Sequence, residues 1–147
     1  MAKALAGTDV ARRINETFSG VALESNKTDV WVAPDDLHRA AKFLHDDKEL
    51  DCAMLLAITA VDYVERFELV YHLRSMRKNH TVVIKTRLSG REEPAISSVT
   101  DIWQGADLQE REVWDLMGIR FEGHPNMKRV LLWEGFPGHP LRRDFVR

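Results

Sequence analysis

Two carboxylates flank an arginine at Glu110-Arg111-Glu112, and two Gly-His-Pro triplets follow, at Gly123-His124-Pro125 and Gly138-His139-Pro140. Carboxylates beside histidines are the raw material of proton transfer, and imidazoles are common metal ligands. Nothing in the spacing pairs these glutamates and histidines as acid and base, and the two triplets lack the close ligand spacing of a metal site. There is no Gly-rich phosphate loop and no nucleophile elbow. The one cysteine, Cys52, cannot supply an iron–sulfur cluster, a zinc finger or an intramolecular disulfide. It opens the apolar run Cys52–Val61 and reads as a buried core thiol in a reducing compartment. What remains is ion pairing and hydrogen bonding. In each triplet proline holds the preceding histidine extended and glycine admits a second chain closely, so His124 and His139 read as anchors. The other histidines, His38, His45, His72 and His80, read as surface residues.

The helix carrying Glu110 and Glu112 does not sort its faces. With Leu108 at 0° and about 100° per residue, Glu112 falls near 40°, between Leu108 and Leu116. Glu110 falls near 200°, between Met117 and Trp114, on the same scale. Arg111 and Asp115 share the remaining sector as an i,i+4 pair. No orientation immerses the apolar residues and leaves both glutamates wet, so at least one carboxylate must be covered. An unpaired buried charge costs several kcal/mol. Arg129, Arg142 and Arg143 are the candidate partners, because guanidinium pairs well with carboxylate. Such pairs either pin the C-terminal segment to its own domain or serve an interface with another protein, and one network could do both.

The elements that position this helix follow from periodicity. Thr8–Ser19 reads as a helix capped by Thr8 or Asp9, with Val10, Ile14 and Phe18 on one face and Gly20 after it. Val30–Ala33 reads as a short strand, and Pro34-Asp35-Asp36 opens a second helix lined by Leu37, Ala40, Ala41 and Leu44. Ala53–Val61 is continuously apolar, as in a central strand covered on both faces. Phe67, Leu69, Tyr71 and Leu73 alternate with Glu68, Val70, His72 and Arg74, and Thr81–Leu88 is the return strand after the loop Ser75–His80. Ser97–Trp103 is a connector with an aromatic anchor. Asp107 with Glu110 has capping-box spacing, and Gly118 is a suitable helix stop. The expected fold is α+β, with helices packed on a small, largely antiparallel sheet. An irregular Gly/Pro-rich C-terminal segment follows, too apolar to be disordered. The whole of 1–147 reads as one domain, with about 1–104 as the core and 105–147 as motif helix and interface tail.

Composition agrees with a globular domain: 44% hydrophobic and 30% charged residues. The longest apolar run is too short to cross a bilayer, which takes about 20 residues. The start, MAKALAGTDVARR, shows no apolar signal region, which places the chain in the cytoplasm with any membrane link through partners. A net charge of −2 argues against a general nucleic-acid binder. The charge is uneven: residues 119–147 hold Arg120, Lys128, Arg129, Arg142, Arg143 and Arg147 against Glu122, Glu134 and Asp144. That end is either an ordinary basic tail or a basic surface laid on an acidic partner.

The run EREVWDLMGIRFEGHPNMKRVL, followed by GHPLRRDF at Gly138–Phe145, resembles the hallmark of the C-type subunit of NADH-quinone oxidoreductase, respiratory complex I. Glu110, Arg111, Glu112, Trp114, Asp115, Gly118, Phe121, Gly123, His124, Pro125, Lys128 and Arg129 fill the pattern. Thr59–Tyr63, Tyr71-His72-Leu73 and Ser98–Trp103 extend the likeness upstream. Met117, Met127 and Gln104 depart from it.

The resemblance implies a core subunit of the peripheral arm, bound to the neighbouring D-type subunit of complex I, which helps form the quinone site, and to other peripheral-arm subunits. It implies no catalysis, flavin, cluster or quinone in this chain; NADH, FMN, iron–sulfur clusters and quinone belong to the whole complex. It also implies a position on the cytoplasmic side of the plasma membrane, without a membrane span and without nucleic acid. Interface and ion-pair roles are expected at Glu110, Arg111, Glu112, Trp114, Asp115, His124, Pro125, Lys128, Arg129, His139, Pro140, Arg142, Arg143 and Asp144. A related membrane-bound hydrogenase, or another electron-donor form of the complex, carries an equivalent subunit and stays open. An independent binding module is the alternative of another class.

Overall fold

The computed structural model describes residues 2–146; Arg147, counted above with the basic end, lies outside them. The first helix, α1 (Gly7–Thr17), turns Val10, Ala11 and Ile14 inward. It starts one residue before Thr8 and has no side-chain cap. Its start is set by contact: a Cβ on Gly7 would meet the carbonyl oxygens of Asn26 and Asp29 at 2.4 Å. Strands β2 (Ala22–Ser25) and β3 (Asp29–Val32) form a hairpin. A 3-10 turn, Pro34–Asp36, leads into α2 (Leu37–Asp46), whose Leu37, Ala40, Ala41 and Leu44 are buried at the expected spacing.

Strands β4 (Met54–Asp62), β5 (Arg66–Ser75) and β6 (His80–Ser89) form an antiparallel meander. The sheet order is β2-β3-β6-β5-β4, with the short β1 (Lys3–Ala4) also on β6. The short-loop pairings are antiparallel as expected. The contacts of β6 with β3 and β1 are parallel, because the intervening chain, including α2, crosses over between β3 and β6. The sheet is therefore mixed and the class is α+β.

The run Ala53–Val61 differs from its sequence reading. It is the edge strand β4, and Met54, Leu56 and Val61 are exposed. Continuous apolarity signals cover on both faces, but here the core supports one side only. His80 also differs: it is buried, and its Nε2 donates to the Leu50 carbonyl at 2.6 Å.

Strand β7 (Ala95–Ser97) pairs in parallel with β8 (Arg120–Glu122), with helix α3 (Ala106–Met117) as the crossover. Ala106, Val113 and Met117 of α3 join the same apolar cluster as Ile14, Leu44, Phe67 and Tyr71. Trp103 anchors the connector, with its indole N–H donating to the Cys52 carbonyl at 3.0 Å. Burial, then the nearby Asp51 and Asp47 carboxylates, pushes the Cys52 thiol up to about 12. No helix of the described residues is long and apolar enough to cross a membrane.

Candidate functional site: the charged helix and the tail it holds

Helix α3 buries two carboxylates completely, Glu110 and Asp115. They face different parts of the chain. Glu110 does not close a capping box with Asp107. Its carboxylate accepts from the Ser98 hydroxyl at 2.7 Å and from the Val99 N–H at 2.8 Å. Burial raises its pKa; those two hydrogen bonds and the nearby His124 oppose the rise without cancelling it. The partner is a turn rather than an arginine, so Glu110 ties α3 to the end of β7.

Asp115 does not pair with Arg111. Its Oδ1 accepts from Arg129 Nη1 at 2.7 Å, and its Oδ2 accepts from the N–H groups of Val130, Leu131 and Leu132 at 3.2, 2.8 and 2.9 Å. Burial alone would raise this carboxyl; the three backbone donors and the guanidinium outweigh it and hold it below its usual range. One side chain therefore fixes the path of the backbone through 130–132.

Arg129 is held on both terminal nitrogens in turn. Its Nη2 donates to the carbonyls of Phe136 and Gly138 at 2.8 and 2.9 Å, and its guanidinium lies over the rings of Trp114 and Phe136. Arg111 donates to the carbonyls of Lys128 and Arg129 at 3.0 and 3.2 Å. The tail also supplies the last turn of α3 with donors. His139 Nδ1 donates to the Asp115 carbonyl and Leu141 N–H to the Leu116 carbonyl, both at 2.9 Å. A helix end leaves such carbonyls unsatisfied otherwise. Gly118 closes the helix at φ +77°, and a Cβ there would meet the His139 ring at 2.8 Å. The His139 ring packs edge-on to Trp114 at 5.7 Å.

The first triplet anchors the other end of α3. His124 Nε2 donates to the Asp107 carbonyl at 3.0 Å while its Nδ1 accepts from the Asn126 N–H at 2.9 Å. Both triplet histidines are thus hydrogen-bonding anchors. Pro125 is exposed and Pro140 half-buried.

A third network joins the tail to the sheet, and sequence reasoning missed two of its members. Asp62, at the end of β4, takes a two-pronged pair from Arg91 at 2.7 Å on each oxygen, plus the N–H groups of Val64 and Arg143 at 2.8 Å. The Arg91 guanidinium holds the Asp62 carboxyl well below its usual range, against burial. Arg142 donates to Asp144 Oδ1 at 3.0 Å and to the Arg91 carbonyl, and it stacks over Phe67 with Arg91. The available signal was Asp62 itself, a lone charge closing an apolar run.

Five of the expected residues are exposed: Glu112, Pro125, Lys128, Arg143 and Asp144. Lys128 and Arg143 act through backbone groups only. Chemically the arrangement does one thing. Buried charges fold an irregular tail into a fixed shape that leaves large apolar side chains exposed among charged ones: Trp133 is 65% exposed, and Leu131 and Leu141 60%. Among the described residues no cluster of His, Cys, Asp and Glu could hold a metal ion.

Residues 30–147 match the family described as Respiratory-chain NADH dehydrogenase, 30 Kd subunit. The chain is 42% identical, over 97% of its length, to the C-type subunit of NADH-quinone oxidoreductase from Azorhizobium caulinodans, and it spans 64% of that relative's length. It is 40% identical over 117 residues to the C/D-type subunit of NADH-quinone oxidoreductase from Phocaeicola vulgatus, covering 22% of that longer chain. Among solved structures, a chain of the membrane-bound sulfane sulfur reductase, an archaeal respiratory membrane complex, superposes with a TM-score of 0.78. The identity there is 26%, over 95% of this chain and 85% of that one.

Proposed function

The chain belongs to the family of the respiratory-chain NADH dehydrogenase 30 Kd subunit, and on that premise we propose that it is a non-catalytic core subunit of the peripheral arm of NADH-quinone oxidoreductase. Its work is to dock the D-type subunit, within a complex that passes electrons from NADH to quinone and couples this to ion translocation. NADH, FMN, iron–sulfur clusters and quinone belong to other parts of that complex, which sits at the cytoplasmic side of the membrane. The observation that carries this reading is the tail, where four donors converge on Asp115. The ordered segment turns Leu131, Trp133 and Leu141 to solvent. An ordered apolar surface of this kind fits a permanent partner, and obligate interfaces bury more than about 2,000 Å² in total. The C/D name of the Phocaeicola relative supports a partnership with a D-type subunit.

Copurification tests it. Co-expressed with its D-type partner, the chain is expected to elute in one complex, and Trp133→Ser with Leu141→Ser to abolish that association while leaving the thermal midpoint of the free chain unchanged. A wild-type chain that elutes alone beside its folded partner contradicts the reading.

A second reading has its own support. The likeness to the sulfane sulfur reductase chain favours the equivalent subunit of a complex with another electron donor. Native mass spectrometry of the assembly separates the two: NADH-binding and flavin subunits belong to the first, and other electron-donor subunits to the second.

A further inference from the structure

Strand β4 leaves one flank of its backbone open. It ends the sheet, paired with β5 on its other side. On the open flank Gln109 of α3 covers a single place: the Ile58 N–H donates to Gln109 Oε1 at 2.6 Å, and Gln109 Nε2 donates to the Leu56 carbonyl at 3.5 Å. A side-chain amide stands there where a neighbouring strand's peptide group would stand. Alternation along the strand turns the Ala60 N–H and carbonyl to the same flank, beyond the reach of Gln109.

Edge strands usually carry charges or proline that discourage pairing. β4 has a bulge between Leu55 and Ala57 but no charge or proline before Asp62, and it exposes Met54, Leu56 and Val61. Beside Ala60 lies a groove of about 210 Å³, lined by Ile58, Val113, Leu116 and Leu141, with Glu112 at its rim. Leu141, which lines the groove, is also one of the exposed apolar residues of the tail. Glu112 is exposed and has neither an ion pair nor a hydrogen bond among the described residues.

We propose that this edge is a strand-addition site: an extended segment of the partner subunit pairs with β4 at Ala60, sets an apolar side chain in the groove and brings a lysine or arginine to Glu112. The proposal rests on the docking reading above and names how the partner engages. Main-chain pairing supplies affinity in such additions, and the side-chain pocket supplies selectivity. The free carboxylate selects a basic partner. A second copy pairing edge to edge would set two uncompensated Glu112 groups along one seam, which like-charge repulsion opposes.

Photo-crosslinking in the assembled complex tests it, with benzoylphenylalanine placed at Thr59, exposed on the edge, and separately at Trp133. Links from Thr59 to one short partner segment containing apolar residues and a lysine or arginine support the proposal. Links from Trp133 to the partner with none from Thr59, or with Thr59 linked only to a second copy of this chain, overturn the strand addition and leave the docking reading standing. Silence at both positions overturns the two together. A second measurement uses Ala60→Pro, which removes one outward N–H, against Ala60→Val, which adds bulk and keeps it. The proline variant is expected to bind the partner about tenfold more weakly than the valine variant, as for one lost hydrogen bond. Equal binding by the two overturns the backbone pairing.

Discussion

Asp115 concentrates the chemistry of the tail in one carboxylate. Five hydrogen-bonding atoms of Arg129 and residues 130–132 depend on its charge, directly or through the guanidinium it holds. Removing one partner of a buried ion pair costs about 3–5 kcal/mol, because the other charge stays behind uncompensated. Asp115→Asn keeps the shape and removes the charge. It is expected to lower stability by about 3 kcal/mol and to strip amide-exchange protection from residues 130–132 while β5 and β6 stay protected. Unchanged protection there would show that the backbone path does not depend on the carboxylate.

The carboxyls also set a pH response whose sign differs between sites. Asp62, Asp115 and Asp144 lie below their ordinary 3.8 in the fold. The unfolded chain takes up their protons first as pH falls, so their contribution is complete above about 3.8 and is lost below it. Glu110 lies above its ordinary 4.5. The folded chain holds that proton at higher pH, so its contribution is weakest at neutrality and grows as pH falls toward about 4.5. Urea midpoints are therefore expected to hold or rise slightly from about pH 7 to about pH 5 and to fall steeply below about pH 3.8. A steady decline from neutrality would contradict this assignment.

At the scale of elements, α3 was the most legible part of the sequence. Its mixed faces follow from 3.6 residues per turn, and that alone required a buried carboxylate, found at Glu110. The C-terminal stop at Gly118 was legible for the same local reason. Which acid the tail would hold was not. Asp115 reads as exposed beside Arg111 on an isolated helix; it is buried because the chain returns over it from Lys128 to Leu141. The edge position of β4 was hidden because continuous apolarity reports cover, not sheet order. The pairing of Asp62 with Arg91 spans a turn of the sheet that no local pattern encodes. Gly118 tests the junction of helix and tail: with φ +77° and the His139 ring against it, Gly118→Ala is expected to destabilise by more than about 1 kcal/mol. An unchanged urea midpoint would mean that the tail does not press on the helix end.

At the scale of the molecule, the chain divides its labour. The sheet and α1 and α2 form an ordinary apolar core, while α3 carries buried charge outward to shape residues 128–146. Those residues contribute few apolar side chains to the core and display several large ones to solvent. That display is the chain's purpose on the docking reading: a tail ordered in advance by ion pairs so that a neighbouring protein covers it. Amide hydrogen exchange on the free chain and on the chain bound to the proposed D-type partner tests that most directly. Residues 130–132 are expected to be protected already in the free chain, and the stretch from Trp133 to Leu141 to gain protection on binding together with β4. A tail that exchanges at the same rate free and bound, in a complex shown to be intact, would contradict it.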